Sequence, residues 1–201
     1  ISRVEFLNDM ESRIPEPVMN IPTNLSAEPG NKSFALKWDA QTNVTGYEIS
    51  IFGEEHTETR RTTSNSVSVS QFNGKPLENG KTYTVCVQST NGEWKSGYSV
   101  SVPVTPKADK VPDAPENITV TGSYRSISVR WKSSKEADSY NLFWREKGAS
   151  AYEKVTGIEG LYYQIENLKD QTTYEVYLTA VNEIGESGKS RDYSGETLSG
   201  L

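Results

Sequence analysis

The 201-residue sequence has one cysteine and one histidine. One cysteine excludes an internal disulfide framework and any cysteine-based zinc site. The single histidine, His56, leaves little acid–base chemistry near neutral pH. There is no run of about 18 apolar residues, so no membrane insertion is expected. No basic stripe or polybasic segment exists, so binding to nucleic acid or to a membrane surface has no electrostatic footprint. A glycine-rich phosphate loop, a nucleophile elbow and a metal-ligand cluster are also missing. Neither metal nor cofactor is expected, and the composition argues against most enzyme classes. The chain opens on Ile1 without a signal peptide. This reads as a mature or excised piece of a larger polypeptide with additional domains.

Aromatic residues are plentiful: 4 Trp, 11 Tyr and 5 Phe, with 34% hydrophobic residues overall. A disordered chain is poor in such residues. The formal net charge of −6 is spread along the chain. Residues 15–106 carry 7 basic and 9 acidic side chains, and residues 112–201 carry 10 and 14. Even acidity of this kind supports solubility.

A repeat organises the sequence. Pro22-Thr23-Asn24-Leu25 answers Pro115-Glu116-Asn117-Ile118, 93 residues later. The segments at Trp38 and Trp131, and at Tyr47 and Tyr140, keep that offset. Leu77 and Leu168, Tyr83 and Tyr174, and Asn91 and Asn182 are 91 apart. The change of offset implies one two-residue deletion in a middle loop. Within each copy the apolar period is two: Phe34/Leu36/Trp38, Tyr47/Ile49/Ile51 and Tyr83/Val85/Val87, then Ile127/Val129/Trp131 and Tyr140/Leu142/Trp144. That alternation marks half-buried strands. Turns are expected at Pro29-Gly30-Asn31, Asn79-Gly80-Lys81, Asn91-Gly92 and Glu186-Ser187-Gly188.

These residues resemble the fibronectin type III family, twice over. The entry segments (Pro22 to Leu25, Pro115 to Ile118), the core tryptophans (Trp38, Trp131) and the tyrosines opening the third strand (Tyr47, Tyr140) carry the likeness. So do the corners Leu77 to Tyr83 and Leu168 to Tyr174, and the last-hairpin sequence Ala180 to Ser187. The first copy departs at that hairpin, reading Ser89 to Trp94. The resemblance implies an all-β chain of two tandem seven-stranded antiparallel β-sandwiches, immunoglobulin-like in plan. The expected division is a leading segment 1–14, a first domain 15–106, a linker 107–111 and a second domain 112–201. Ile1, Val4, Leu7, Met10/Glu11 and Ile14 fit helical spacing, while residues 2–7 also read as a strand. The leading segment is read as a connector or last strand from a preceding domain.

Candidate sites follow from parity. Phe143 and Tyr177 point outward on neighbouring strands and are expected to form an exposed aromatic patch. Phe52 and Cys86 are taken as the matching positions of the first copy, with Cys86 on a half-exposed outer face. Trp94, in the last hairpin, is a contact candidate or packs on the leading segment. His56 is expected to be solvated, and no carboxylate pair straddles a reactive centre. Asn24, Asn31, Asn43 and Asn117 stand in glycosylation acceptor patterns, meaningful only in a eukaryotic secreted protein. The expected function is non-catalytic: a spacer or binding pair of a larger extracellular or cell-surface protein, with a protein or polysaccharide partner. A bacterial, glycan-associated setting is preferred. The alternative is a eukaryotic adhesion or receptor ectodomain that binds protein.

Overall fold

The structure is a computed structural model that describes residues 18–200 and, within the leading segment, Arg3. The readings of residues 1–14 otherwise fall outside the described residues. The chain divides into two compact units between Lys107 and Ala108.

In the first unit one sheet has the order β1 (Ser26–Gly30), β2 (Ser33–Lys37), β5 (Ser66–Val69). The other runs β10 (Val102–Val104), β8 (Tyr83–Asn91), β3 (Gly46–Phe52), β4 (Thr57–Thr62), and β9 (Trp94–Lys95) extends the hairpin on β8. A small hairpin, β6 (Gln71–Phe72) with β7 (Lys75–Pro76), stands apart. In the second unit the sheets are β11 (Thr119–Ser123), β12 (Ser126–Arg130), β15 (Tyr162–Ile165) and β14 (Glu153–Ile158), β13 (Ser139–Glu146), β16 (Thr173–Val181), β17 (Tyr193–Glu196). Strand-to-strand pairings are antiparallel throughout. The second unit has seven strands, and the first adds β9 and the β6–β7 hairpin to the same plan.

Each unit buries the inward row of its strands in its own core. In the first this row includes Leu36, Trp38, Tyr47, Ile49, Leu77 and Val85, and in the second Val129, Trp131, Tyr140, Leu142, Leu168 and Val176. Trp38 stands just past β2, where its N–H donates to Asn65 O and its carbonyl accepts from Asn65 Nδ2. Its ring meets Tyr47 edge-on at 5.2 Å, and Trp131 meets Tyr140 likewise at 5.5 Å. Each tyrosine hydroxyl then accepts a loop N–H: Gln41 to Tyr47 at 2.7 Å and Ser134 to Tyr140 at 2.8 Å. In the second unit the corner hydroxyl of Tyr174 accepts the Lys169 N–H at 3.0 Å. In the first unit Tyr83 lies between the rings of Phe34 and Phe72.

Three sequence expectations need correction. The last turn falls at Glu183-Ile184-Gly185, where the Asn182 N–H donates to Gly185 O and Val181 bridges Glu186, and not at Glu186-Ser187-Gly188. The first turn is Asn31-Lys32, with Lys32 at φ 48°, and β1 runs through Pro29 and Gly30. The repeat offset also shifts by more than one deletion. Val69 pairs with Phe34 and Ile165 pairs with Ile127, so these two equivalents are 96 apart. The second unit therefore gains residues before β15, in the turn between β13 and β14 and at a bulge in β14 between Val155 and Ile158. The first unit regains more of them in the β6–β7 hairpin. That hairpin turns on Asn73-Gly74, both left-handed (φ 51° and 71°), the backbone that a two-residue Asn-Gly turn supplies. The sequence comparison saw only the net change of two.

A second repeated device escaped the sequence reading. In Ser96-Gly97-Tyr98-Ser99 and Ser187-Gly188-Lys189-Ser190, each serine N–H donates to a carbonyl of the neighbouring strand. Each serine Oγ accepts the N–H of that same strand residue: Val87 and Ser89 in the first unit, Leu178 and Ala180 in the second. The hydroxyl then donates to the following carbonyl. A side chain thus stands in for a missing main-chain acceptor, so no buried strand N–H is left unpaired. The two motifs are 91 residues apart, a signal present in the sequence.

Candidate functional site

The outer face of β13 and β16 carries a cluster of three aromatic rings, Phe143, Tyr177 and Tyr152. The strand register sets Phe143 directly opposite Tyr177, and Lys154 of β14 opposite Phe143 on its other side. Cross-strand partners on one face lie about 4.5–5.5 Å apart, and the two rings stack at 4.5 Å and 11°. Lys154 Nζ lies 5.0 Å from the Phe143 ring centre, and Lys189 Nζ 5.0 Å from that of Tyr177. Tyr152 meets Tyr177 edge-on at 4.9 Å, with the Arg145 guanidinium 4.3 Å above its own ring. The result is a ladder of cation, ring, ring, cation. Phe143 and Tyr177 are half-buried, so the expected exposed patch is a self-stacked one. Burial, with Tyr152 adding to it and Lys189 opposing, raises the Tyr177 phenol above its ordinary range.

The surrounding charges are mostly paired. Arg145 meets Glu175 at 2.8 Å and Lys189 meets Asp192 at 3.2 Å. Glu186 accepts from Thr179 and Asn141, which hold its carboxyl below the usual glutamate range. Sequence reasoning found Phe143 and Tyr177 but not Tyr152, Arg145, Lys154 and Lys189. Those four depend on the β13–β14 register and on the path after β16, which parity along single strands does not give.

The first unit differs at the same place. The partner of Cys86 is Ser50, so Ser50 and Cys86 correspond to Phe143 and Tyr177. Phe52 pairs with Thr84 two pairs further along, and corresponds to Arg145. Its assignment as the matching position is thus corrected, although Phe52 is 38% exposed. Cys86 is 3% exposed rather than half-exposed, because it sits mid-sheet beside a small partner that larger side chains flank. Burial pushes its thiol pKa up against a Ser50 hydrogen bond, the opposite of an activated nucleophile. Trp94 is 43% exposed, opposite Asn91 in the last hairpin. Its suggested packing on the leading segment lies outside the described residues. His56 is exposed in the β3–β4 turn, where its carbonyl accepts the Gly53 N–H.

Glu48, next along this face, has a side chain only 10% exposed between Lys95 Nζ at 2.7 Å and Arg61 Nε at 3.2 Å. The Lys95 hydrogen bond is the largest influence, and burial opposes it; the net effect lowers the carboxyl below the usual range. A depressed folded pKa contributes stability above the unfolded pKa, and that contribution is lost as pH falls through the folded value. Glu48→Gln is therefore expected to lower the first unit's melting temperature near pH 7. The gap to wild type should shrink toward about pH 3. Thermal melts across that range check this, and a gap that stays constant contradicts it.

The family comparison agrees with this architecture. The fibronectin type III domain pattern matches residues 20–105 and again 113–196. A tail tube protein of Bacillus phage SPP1 is 31% identical over 121 residues, 57% of this chain and 44% of that protein. Human neogenin is 27% identical over 121 residues, 58% of this chain and 8% of neogenin. An amylopullulanase of Thermoanaerobacterium thermosulfurigenes is 29% identical over 83 residues, 40% of this chain and 4% of that enzyme. The chain thus spans less than half the length of each of these relatives. A solved two-domain segment of chicken tenascin, 17% identical, aligns with 89% of this chain and all of its own at a TM-score of 0.49. With its two copies matching over most of their length, the chain belongs to the fibronectin type III family.

Proposed function

We propose that the chain is a non-catalytic docking pair within a larger extracellular or cell-surface protein, and that the second unit engages a protein through the Phe143–Tyr177 face. The observation that carries this reading is the covering of the ring faces. A sugar stacks its C–H groups on an open aromatic face. Here Phe143 lies between Tyr177 and Lys154, and Tyr177 between Phe143 and Lys189. The ladder offers ring edges, ammonium groups and paired charges instead, the mixture of aromatic and polar groups found at protein interfaces. That weighs against a polysaccharide partner at this face. The relatives support a travelling module: a tail tube protein, neogenin and an amylopullulanase share the domain and little else by name. The match to the amylopullulanase favours a second reading, a plain spacer beside a glycan-degrading enzyme.

Capture by the immobilised chain from the source organism's surface and secreted proteins tests both. Phe143→Ser and Tyr177→Thr should each weaken capture about 30-fold, the effect of an interface hot spot, while the second unit still melts in one cooperative transition, lower by roughly 5–10 °C for the lost stack. Capture indifferent to both substitutions overturns the docking face and leaves the spacer. A glycan-array signal that depends on Phe143 overturns the preference for protein.

A further inference from the structure

In the second unit three of the four sheet edges are guarded. β14 carries Glu153 and Lys154 and is itself bulged, with its stretch from Val155 to Ile158 facing the shorter stretch from Leu142 to Tyr140. β11 is closed by the end of the chain, where Leu198 N–H donates to Ser123 O and Tyr124 bridges Leu198. β17 lies against β11, its Glu196 carbonyl within van der Waals reach of Gly122. The fourth edge, β15, pairs only with β12 among the described residues. Its sequence Leu161-Tyr162-Tyr163-Gln164-Ile165 has no charge and no proline, the usual protections of an edge. Leu161 and Tyr162 are 42% and 39% exposed.

The first unit treats the same side differently. Arg60 Nη2 donates to Gln71 O at 2.6 Å and the Asn73 N–H donates to Glu58 at 2.8 Å, which ties β4 to the hairpin that follows β5. At the equivalents of Arg60 and Glu58 the second unit has Val155 and Glu153, and it lacks the hairpin.

The free main-chain groups can be assigned. Trp131 N–H donates to Leu161 O. Antiparallel pairs alternate between bonded and non-bonded, so Tyr163 and Ile165 also face β12. Tyr162 and Gln164 turn their N–H and C=O away from it. We propose that a second copy of this chain pairs along β15, antiparallel, about a two-fold axis at Tyr163. That register sets Tyr162 against Gln164 of the other copy, and each exchanges N–H and C=O with its opposite. Within residues 161–165 no charges stand opposite one another, and Arg130, which caps the Tyr162 ring at 4.5 Å, lines up with Ser128 of the other copy; at each end Glu166 comes beside Glu159 of the other copy, which keeps the contact weak. Such an isologous contact closes after two copies. Its small size sets an expected half-association on the order of 0.1–1 mM.

Sedimentation and amide hydrogen exchange of the full 201-residue chain test the pairing across that range. Mass should rise with concentration. The Tyr162 and Gln164 amides should gain protection while that of Tyr163, already bonded to β12, changes little. Gln164→Pro removes an outward N–H that the fold does not use, and should weaken association at least about tenfold. Gln164→Lys, which folds without a proline, should do the same. A chain monomeric throughout, association unchanged in both variants, or protection that rises only elsewhere overturns the proposal.

Discussion

Gly122→Ala is expected to destabilise the second unit severely while leaving the first unit's melting transition in place. A Cβ on Gly122 would stand 1.7 Å from the Glu196 carbonyl oxygen and 2.7 Å from its carbon. Both atoms are main chain, so no rotamer can relieve the clash. The only remedy is to part β11 from β17, which opens the corner where Leu198 N–H meets Ser123 O and Thr197 N–H meets Thr172 O. The Thr197 hydroxyl bonds to Lys169 O and from Thr172 N–H are next to go. Overpacking alone costs about 1–3 kcal/mol, and lost buried hydrogen bonds about 1 kcal/mol each. For a domain of this size that is a fall of roughly 10–20 °C or more. Gly160→Ala is the control, because nothing lies within 4 Å of a Cβ there. Differential scanning calorimetry of both variants decides the matter. Equal, small shifts would show that the corner is not a close contact in solution.

Trp38→Ala is expected to remove most of the first unit's stability. Trp38 is 1% exposed and is the largest fully buried side chain in the described structure. Truncating such a residue costs about 3–5 kcal/mol, against a total of about 5–15 kcal/mol for a domain. Trp38→Phe should cost far less. The Trp38 indole N–H is buried without a hydrogen-bond partner, so phenylalanine gives up volume but no bond. Denaturant titration of the two variants separates volume from bonding. If phenylalanine costs as much as alanine, the N–H does contribute, for example toward the edge-on Tyr47 ring.

The parts of this fold that were legible in the sequence are those set by parity along one strand. Phe34, Leu36 and Trp38 announce their own burial, and so does the Tyr83 row. Features that need two strands at once were not legible. Phe52 is a different case: the 93-residue offset from Tyr47 to Tyr140 already sets Ser50, and not Phe52, against Phe143, and the β3–β8 register agrees. Lys154 reaches Phe143 only once a turn of unannounced length has brought β14 alongside β13. The burial of Cys86 depends on Ser50, a residue that no apolar pattern selects. The paired serines were legible as a repeated spelling but carried no hydrophobic signal, so their use as substitute acceptors needed the backbone.

The burial of Cys86 also makes the chain its own unfolding gauge. It is the sole thiol, it lies inside one unit, and the other unit is chemically silent to thiol reagents. A reagent reaches the sulfur when the side chains that flank it on the outer face move aside or when the β3–β8 sheet opens, and either event belongs to the first unit alone. Local and global openings then separate by their response to denaturant, without a label, a mutation or a separated domain.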